Sequence, residues 1–141
     1  MSINTSTAGK TGTAANYSAV VLVGRVLLSA MFIIAGFGKL TAISATAGWF
    51  GSIGLPMPTV TTVLVGLVEL LGGLAILIGF QTRIAAIVLA VFTVAATAIA
   101  HMDLSGQMQM LLFQKNLSIT GGLLILAAFG AGALSLDARR G

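Results

Sequence analysis

Charge is scarce in this chain. Only 7% of its 141 residues are Asp, Glu, Lys or Arg, against about 25% in an average soluble domain. A water-soluble domain this short could not cover its apolar surface with so few polar groups. Cysteine is absent, which excludes disulfide exchange, thiolate catalysis and thiolate-ligated zinc or iron–sulfur centres within the chain. The single histidine, His101, excludes a bis-histidine haem site. No glycine-rich loop sits between a strand and a helix where it could cradle phosphate. A Ser/His/Asp set is not credible either: Asp103 lies two residues from His101 and no nucleophile has supporting context. The basic residues give a net charge of +4 but are scattered, so they form no nucleic-acid patch.

What remains is apolar. Hydrophobic residues make up 57% of the chain and there are 18 glycines, the composition of an integral membrane protein whose helices approach closely through small residues. The chain is therefore expected to be all-α, a four-helix bundle in the bilayer. Apolar runs predict spans over about 18–40, 58–80, 83–101 and 112–136 within a domain covering 18–138, each near the ~20 residues that cross a hydrocarbon core. Residues 1–17 read as a polar, flexible tail and 139–141 as a short C-terminal one. The first run is longer than the ~7–15 residues of a signal-peptide core and reads as an uncleaved span.

Four spans put both termini on one side. That side carries Lys10, Arg83, Arg139 and Arg140, with Arg25 a little way inside, whereas the other has only Lys39 and Lys115. The positive-inside rule then places both termini in the cytoplasm. Of the two outer connections, Thr41–Pro58 predicts a short interfacial helix with Trp49 and Phe50 at headgroup level. His101–Asn116 reads as an amphipathic segment lying along the membrane. GGLAIL (72–77) recurs as GGLLIL (121–126), a weak hint of two related hairpins.

Ionisable groups within a membrane must face the bundle interior or a wet cavity. Arg25, Ser29, Phe32, Gly36 and Lys39 fall on one helical stripe, as do Thr62, Gly66, Glu69, Gly73 and Ile76. At ~1.5 Å per residue Glu69 lies roughly 15 Å from either end of its span. Three readings of it stand open: half of a structural Arg25–Glu69 ion pair, a protonated acid, or a proton acceptor at the floor of a ligand cavity. Lys39, His101, Lys115 and Asn116 end or begin spans on the outer side. With Arg25 and Glu69 they are the candidate polar pocket, suited to an anion or to the oxygens of a quinone arriving from lipid; the alternative has the lysines reaching for headgroups. His101 with Met102, Met108 and Met110 offers soft donors of the kind that bind Cu(I), though methionines in such a segment more often cover lipid.

Three segments carry a family likeness: GRVLLSAMFIIAGFGKL (24–40), VELLGGLAILIGFQTRIAA (68–86) and KNLSITGGLLILAAFGAGALSLDA (115–138). In these the chain resembles the DoxX family of small bacterial membrane proteins, and Arg25, Lys39, Glu69, Lys115 and Asn116 fall on its polar positions. The resemblance implies a four-helix inner-membrane fold. It also implies an association with redox or oxidative-stress complexes, since an archaeal relative is a subunit of a thiosulfate:quinone oxidoreductase and a mycobacterial one is linked to a superoxide dismutase and a sulfurtransferase. With no self-sufficient redox centre of its own, the chain reads as a non-catalytic membrane subunit that anchors a soluble redox partner or docks quinone. The alternative is a small-molecule binder or transporter in which Glu69 exchanges a proton. Glycine-rich helix faces leave a homo-oligomer open.

Overall fold

The computed structural model describes residues 6–140, with side chains from residue 16 onward. Among them all regular structure is helical: α1 (Ser6–Thr41), α2 (Ile43–Ser52), α3 (Pro58–Ile78), α4 (Thr82–Ala100), α5 (Gln107–Phe129) and α6 (Leu136–Arg140). Four of these are long and apolar enough to cross a membrane: α3, α4, α5 and the Asn16–Thr41 portion of α1. At ~1.5 Å per residue α3 is about 30 Å long, the thickness of a hydrocarbon core.

Sequence chemistry sets most of the helix ends. Pro58 occupies the first turn of α3, where its missing N–H costs nothing. Gly79 closes the same helix at φ 73°, ψ 40°; its N–H donates to Ile76 O at 3.3 Å and that of Phe80 to Ala75 O at 2.8 Å. This is a Schellman motif, and it needs the left-handed conformation glycine adopts freely.

Three expected boundaries differ. Helix α1 runs back to Ser6, so 6–17 are helical rather than a flexible tail, with no proline in that stretch to stop the helix; residues 1–5 lie outside the described residues. The fourth span ends at Phe129 instead of 136, because Gly130 turns the backbone to φ 82° and the chain then leads into α6. It also begins at Gln107, so most of the second outer segment forms the first turns of α5 rather than a separate surface helix. The first outer connection does contain a helix, α2, but it folds back against α3.

Packing is tightest between α1 and α3. A Cβ on Gly36 would fall 2.5 Å from Leu70 N and 2.7 Å from Gly66 O, and one on Gly73 would fall 2.9 Å from Ile33 Cγ1. The two backbones meet where side chains are missing. Helix α4 packs on α5 and more lightly on α3. The shared core is Phe32, Ile76, Ala86, Leu89, Ala90, Leu123 and Leu126. Much of the apolar surface points outward, Ile34 being 70% and Phe129 81% exposed, as lipid-facing side chains should. The two GG motifs are not equivalent: Gly72 and Gly73 pack against α4 and α1, while Gly121 meets nothing within 4 Å.

Gly36→Ala is expected to lower detergent-solubilised stability by about 1–3 kcal/mol, since the added methyl meets backbone that cannot step aside. Gly38→Ala, whose Cβ would meet nothing within 4 Å, should leave the unfolding midpoint unchanged in the same denaturation assay.

Candidate functional site

The bundle keeps its polar groups at two levels. At the end where α3 gives way to α4, Arg25 is 2% exposed and donates four hydrogen bonds to main-chain carbonyls. Its Nε reaches Ile76 O at 3.0 Å and Nη2 reaches Leu77 O at 2.9 Å; Nη1 reaches Ala131 O and Leu134 O, each at 2.8 Å. The guanidinium thus caps the C-terminus of α3, where the helix dipole favours a cation, and ties down the loop after α5. Arg83 Nη1 similarly donates to Ala128 O at 3.0 Å. Asp137 in α6 accepts from Gln81 N at 2.7 Å and Thr82 N at 2.8 Å, serving as the N-cap that Gln81 does not provide for α4.

Burial pushes the Asp137 carboxyl up, but the backbone N–H groups of Thr82 and Gln81 and the nearby Arg140 outweigh it and hold it below the usual carboxylate range. A carboxyl that ionises more readily folded than unfolded contributes fully above its unfolded value, and that contribution fades as pH falls through the folded one. Docking of α6 should therefore be insensitive to pH near neutrality and loosen only in acid. Asp137→Ala should speed amide exchange at Gln81 and Thr82 at pH 7, whereas the wild type should show that exchange only below the carboxylate range.

The opposite end holds a cavity of about 340 Å³ under α2. Its walls are apolar and include Phe32, Phe50, Phe92, Ile53 and Trp49; its polar lining includes Lys39, Glu69, His101, Lys115 and Asn116. Glu69 is 5% exposed. Its carboxylate is held by Lys39 Nζ, 2.8 Å from Oε1 and 3.2 Å from Oε2. Asn116 Nδ2 donates to Thr97 Oγ1 at 2.9 Å, and Thr97 and Thr93 return their hydroxyl protons to the carbonyls of Thr93 and Leu89, both at 2.7 Å. His101 Nδ1 lies 2.9 Å from Gln109 Oε1. Lys115 is exposed and has no hydrogen-bond or ion-pair partner among the described residues.

The structure thus brings five of the six candidate pocket residues to one cavity and leaves Arg25 out of it. The Arg25–Glu69 pair expected from the sequence does not form. The close approaches of Gly36 to Leu70 and of Gly73 to Ile33 set an antiparallel register in which Arg25 is level with Gly79, about 15 Å along the axis from Glu69. Lys39 is level with Gly66, only about 5 Å away, so it turns inward instead of reaching for headgroups. Phe50, expected at the membrane surface, is 5% exposed because α2 folds over the bundle end. Met102 and Met108 are exposed, and neither they nor Met110 join His101 on the cavity wall. Gln109 and the Asp137 cap went unread in the sequence; Asp137 acts on residues 55 and 56 positions away, and no local pattern announces that.

Comparison with known proteins gives a consistent set of relatives. A family model described as DoxX matches residues 20–102. Over 117 residues the chain is 42% identical to the Escherichia coli protein named "Inner membrane protein YqjF", covering 83% of this chain and 88% of the relative. It is 34% identical over 125 residues to "Inner membrane protein YphA" from the same organism, covering 85% and 89%. A more distant match, 32% identical over 72 residues and covering 51% and 52%, is the Bacillus subtilis protein named "Putative oxidoreductase CatD". No solved structure matches.

Proposed function

Since the chain belongs to the DoxX family of multi-pass inner-membrane proteins, we propose that it is a non-catalytic membrane subunit whose cavity receives a small amphipathic ring compound, such as a quinone, from the lipid. The observation that carries this reading is the cavity itself. Its volume of about 340 Å³ lies in the range of small-molecule sites, and such sites join apolar walls to a few convergent polar groups. Aromatic side chains suit a planar ring, while Lys39, Lys115, Asn116 and His101 are available to its oxygens. A bound quinone would supply electron-carrying chemistry. The residues here hold and orient the ring and keep water from it, which is the part a subunit beside a soluble redox partner would play. The distant relative named as an oxidoreductase favours the same setting. On this reading both termini, with their surplus of basic residues, face the cytoplasm.

Trp49 is the sole tryptophan and lines the cavity, so occupancy has a built-in reporter. Titrating the protein in lipid nanodiscs with a short-tailed benzoquinone should quench Trp49 saturably, and Ala96→Phe, which fills the cavity, should abolish the saturable part. Quenching that rises linearly and ignores Ala96→Phe would overturn the reading.

A second reading, transport of the same class of molecule, is favoured by one observation: the cavity-lining acid Glu69 is buried near the middle of its span. In a transporter Glu69→Gln would keep saturable quenching and abolish proton-coupled uptake into vesicles; in a docking subunit no uptake is expected in the wild type.

A further inference from the structure

The cavity's charges do not balance, and that imbalance specifies its ligand more closely than size or shape does. Each element facing it contributes as follows: α1 gives Lys39, α3 gives Glu69, His101 caps α4, α5 gives Lys115, and α2 gives only the aromatic rings of Trp49 and Phe50. Lys39 and Glu69 neutralise each other, because the ammonium lies within 3.2 Å of both carboxylate oxygens. Lys115 makes no ion pair of its own among the described residues: Glu69 feels its charge, but that carboxylate is already held by Lys39. One positive charge is therefore in excess, on a flexible stem at the exposed edge of the cavity, where an anion seated against the apolar walls would meet it.

We infer that the cavity selects ring compounds bearing one negative charge, seated by Lys115, over neutral rings of the same size. This rests on the binding proposed above and sharpens it to a ligand class: planar aromatic or quinonoid acids in their ionised form. The geometry divides the work. Phe32, Phe50 and Phe92 enclose the ring, Lys115 meets its anionic oxygen, and the Lys39–Glu69 pair adds no net charge at the inner end. A dianion would exceed the available charge, and a cation would meet Lys115 without compensation.

Two probes of nearly equal shape test this: 2-hydroxy-1,4-naphthoquinone, an anion at neutral pH, and the neutral 2-methyl-1,4-naphthoquinone. Both quench tryptophan, and Trp49 reads them in nanodiscs made of zwitterionic lipid. The expected result is saturable quenching by both, with the anion bound about tenfold more tightly, the size of one added charge-assisted contact. Lys115→Gln should erase that preference by weakening the anion far more than the neutral ring, and Lys115→Arg should retain it. Lys115 is exposed and unpaired, so these variants are expected to fold as the wild type does.

Equal affinities, or tighter binding of the neutral ring, would overturn the charge selection while leaving the cavity as a binding site. A preference that survives Lys115→Gln would overturn the assignment to Lys115. Saturable quenching by neither probe would overturn the binding reading and this inference with it.

Discussion

Arg25→Met is expected to destabilise the bundle by about 4 kcal/mol or more, the largest effect of any single substitution considered. The arginine donates to four carbonyls from two separate segments; with methionine Ile76 O would keep only the Gly79 N–H, and Leu77, Ala131 and Leu134 would lose the donor that Arg25 supplies. Each buried acceptor left without a donor costs about 1–3 kcal/mol, in surroundings with little water to take the arginine's place. Lysine is no substitute: an ammonium is a point donor, whereas these carbonyls lie around a planar fork. Arg25→Lys should recover less than half of the loss. Denaturant titration of the detergent-solubilised protein measures both, and wild-type stability in Arg25→Met would refute the capping role.

The second large effect is asymmetric. Lys39→Met leaves the Glu69 carboxylate, 5% exposed, without the cation that holds it, and breaking a buried pair from one side costs about 3–5 kcal/mol. Glu69→Gln is expected to cost only about 1 kcal/mol: the Lys39 side chain is 25% exposed, and an ammonium on a long stem can swing out to the headgroups. The double variant Lys39→Met/Glu69→Gln should therefore be more stable than Lys39→Met alone. Combined with Arg25→Met, the Glu69 substitution should simply add, as expected of sites about 15 Å apart. Rescue of Glu69→Gln by Arg25→Met would show that the carboxylate answers to the arginine after all.

These paired outcomes show how much could be read from the chain beforehand. The spans were legible, because run lengths, Pro58 and Gly79 mark them in the sequence itself. The inward stripe of α3 was legible too: Thr62, Gly66, Glu69, Gly73 and Ile76 are all buried. The partner of Glu69 was not. Depth counted from each helix end says nothing of how far one helix has slid along its neighbour, and that offset is fixed by the close approach at Gly36 and Gly73. The end of α5 is illegible for a different reason. Residues 130–136 carry no charge to mark an end, and the positive φ values at Gly130 and Gly132 turn the chain away. Residue type alone points Phe50 to the interface, whereas the fold-back of α2, a tertiary event, encloses it.

The unequal fastening of the two ends has a mechanical consequence. One end is riveted by the guanidinium of Arg25, the side chain of Arg83 and the carboxylate of Asp137; at the other, α1 and α3 still meet closely at Gly36, but among the described residues the rest of the cavity wall is joined side chain to side chain, by one charged clasp and a few neutral bonds. The fastening is that of a clothes-peg, with its pivot among the main-chain carbonyls that Arg25 holds and its jaws where α2 and the start of α5 cover the cavity. Thermal motion that parts the jaws need not disturb the pivot, so a guest could come and go while the spans stay assembled.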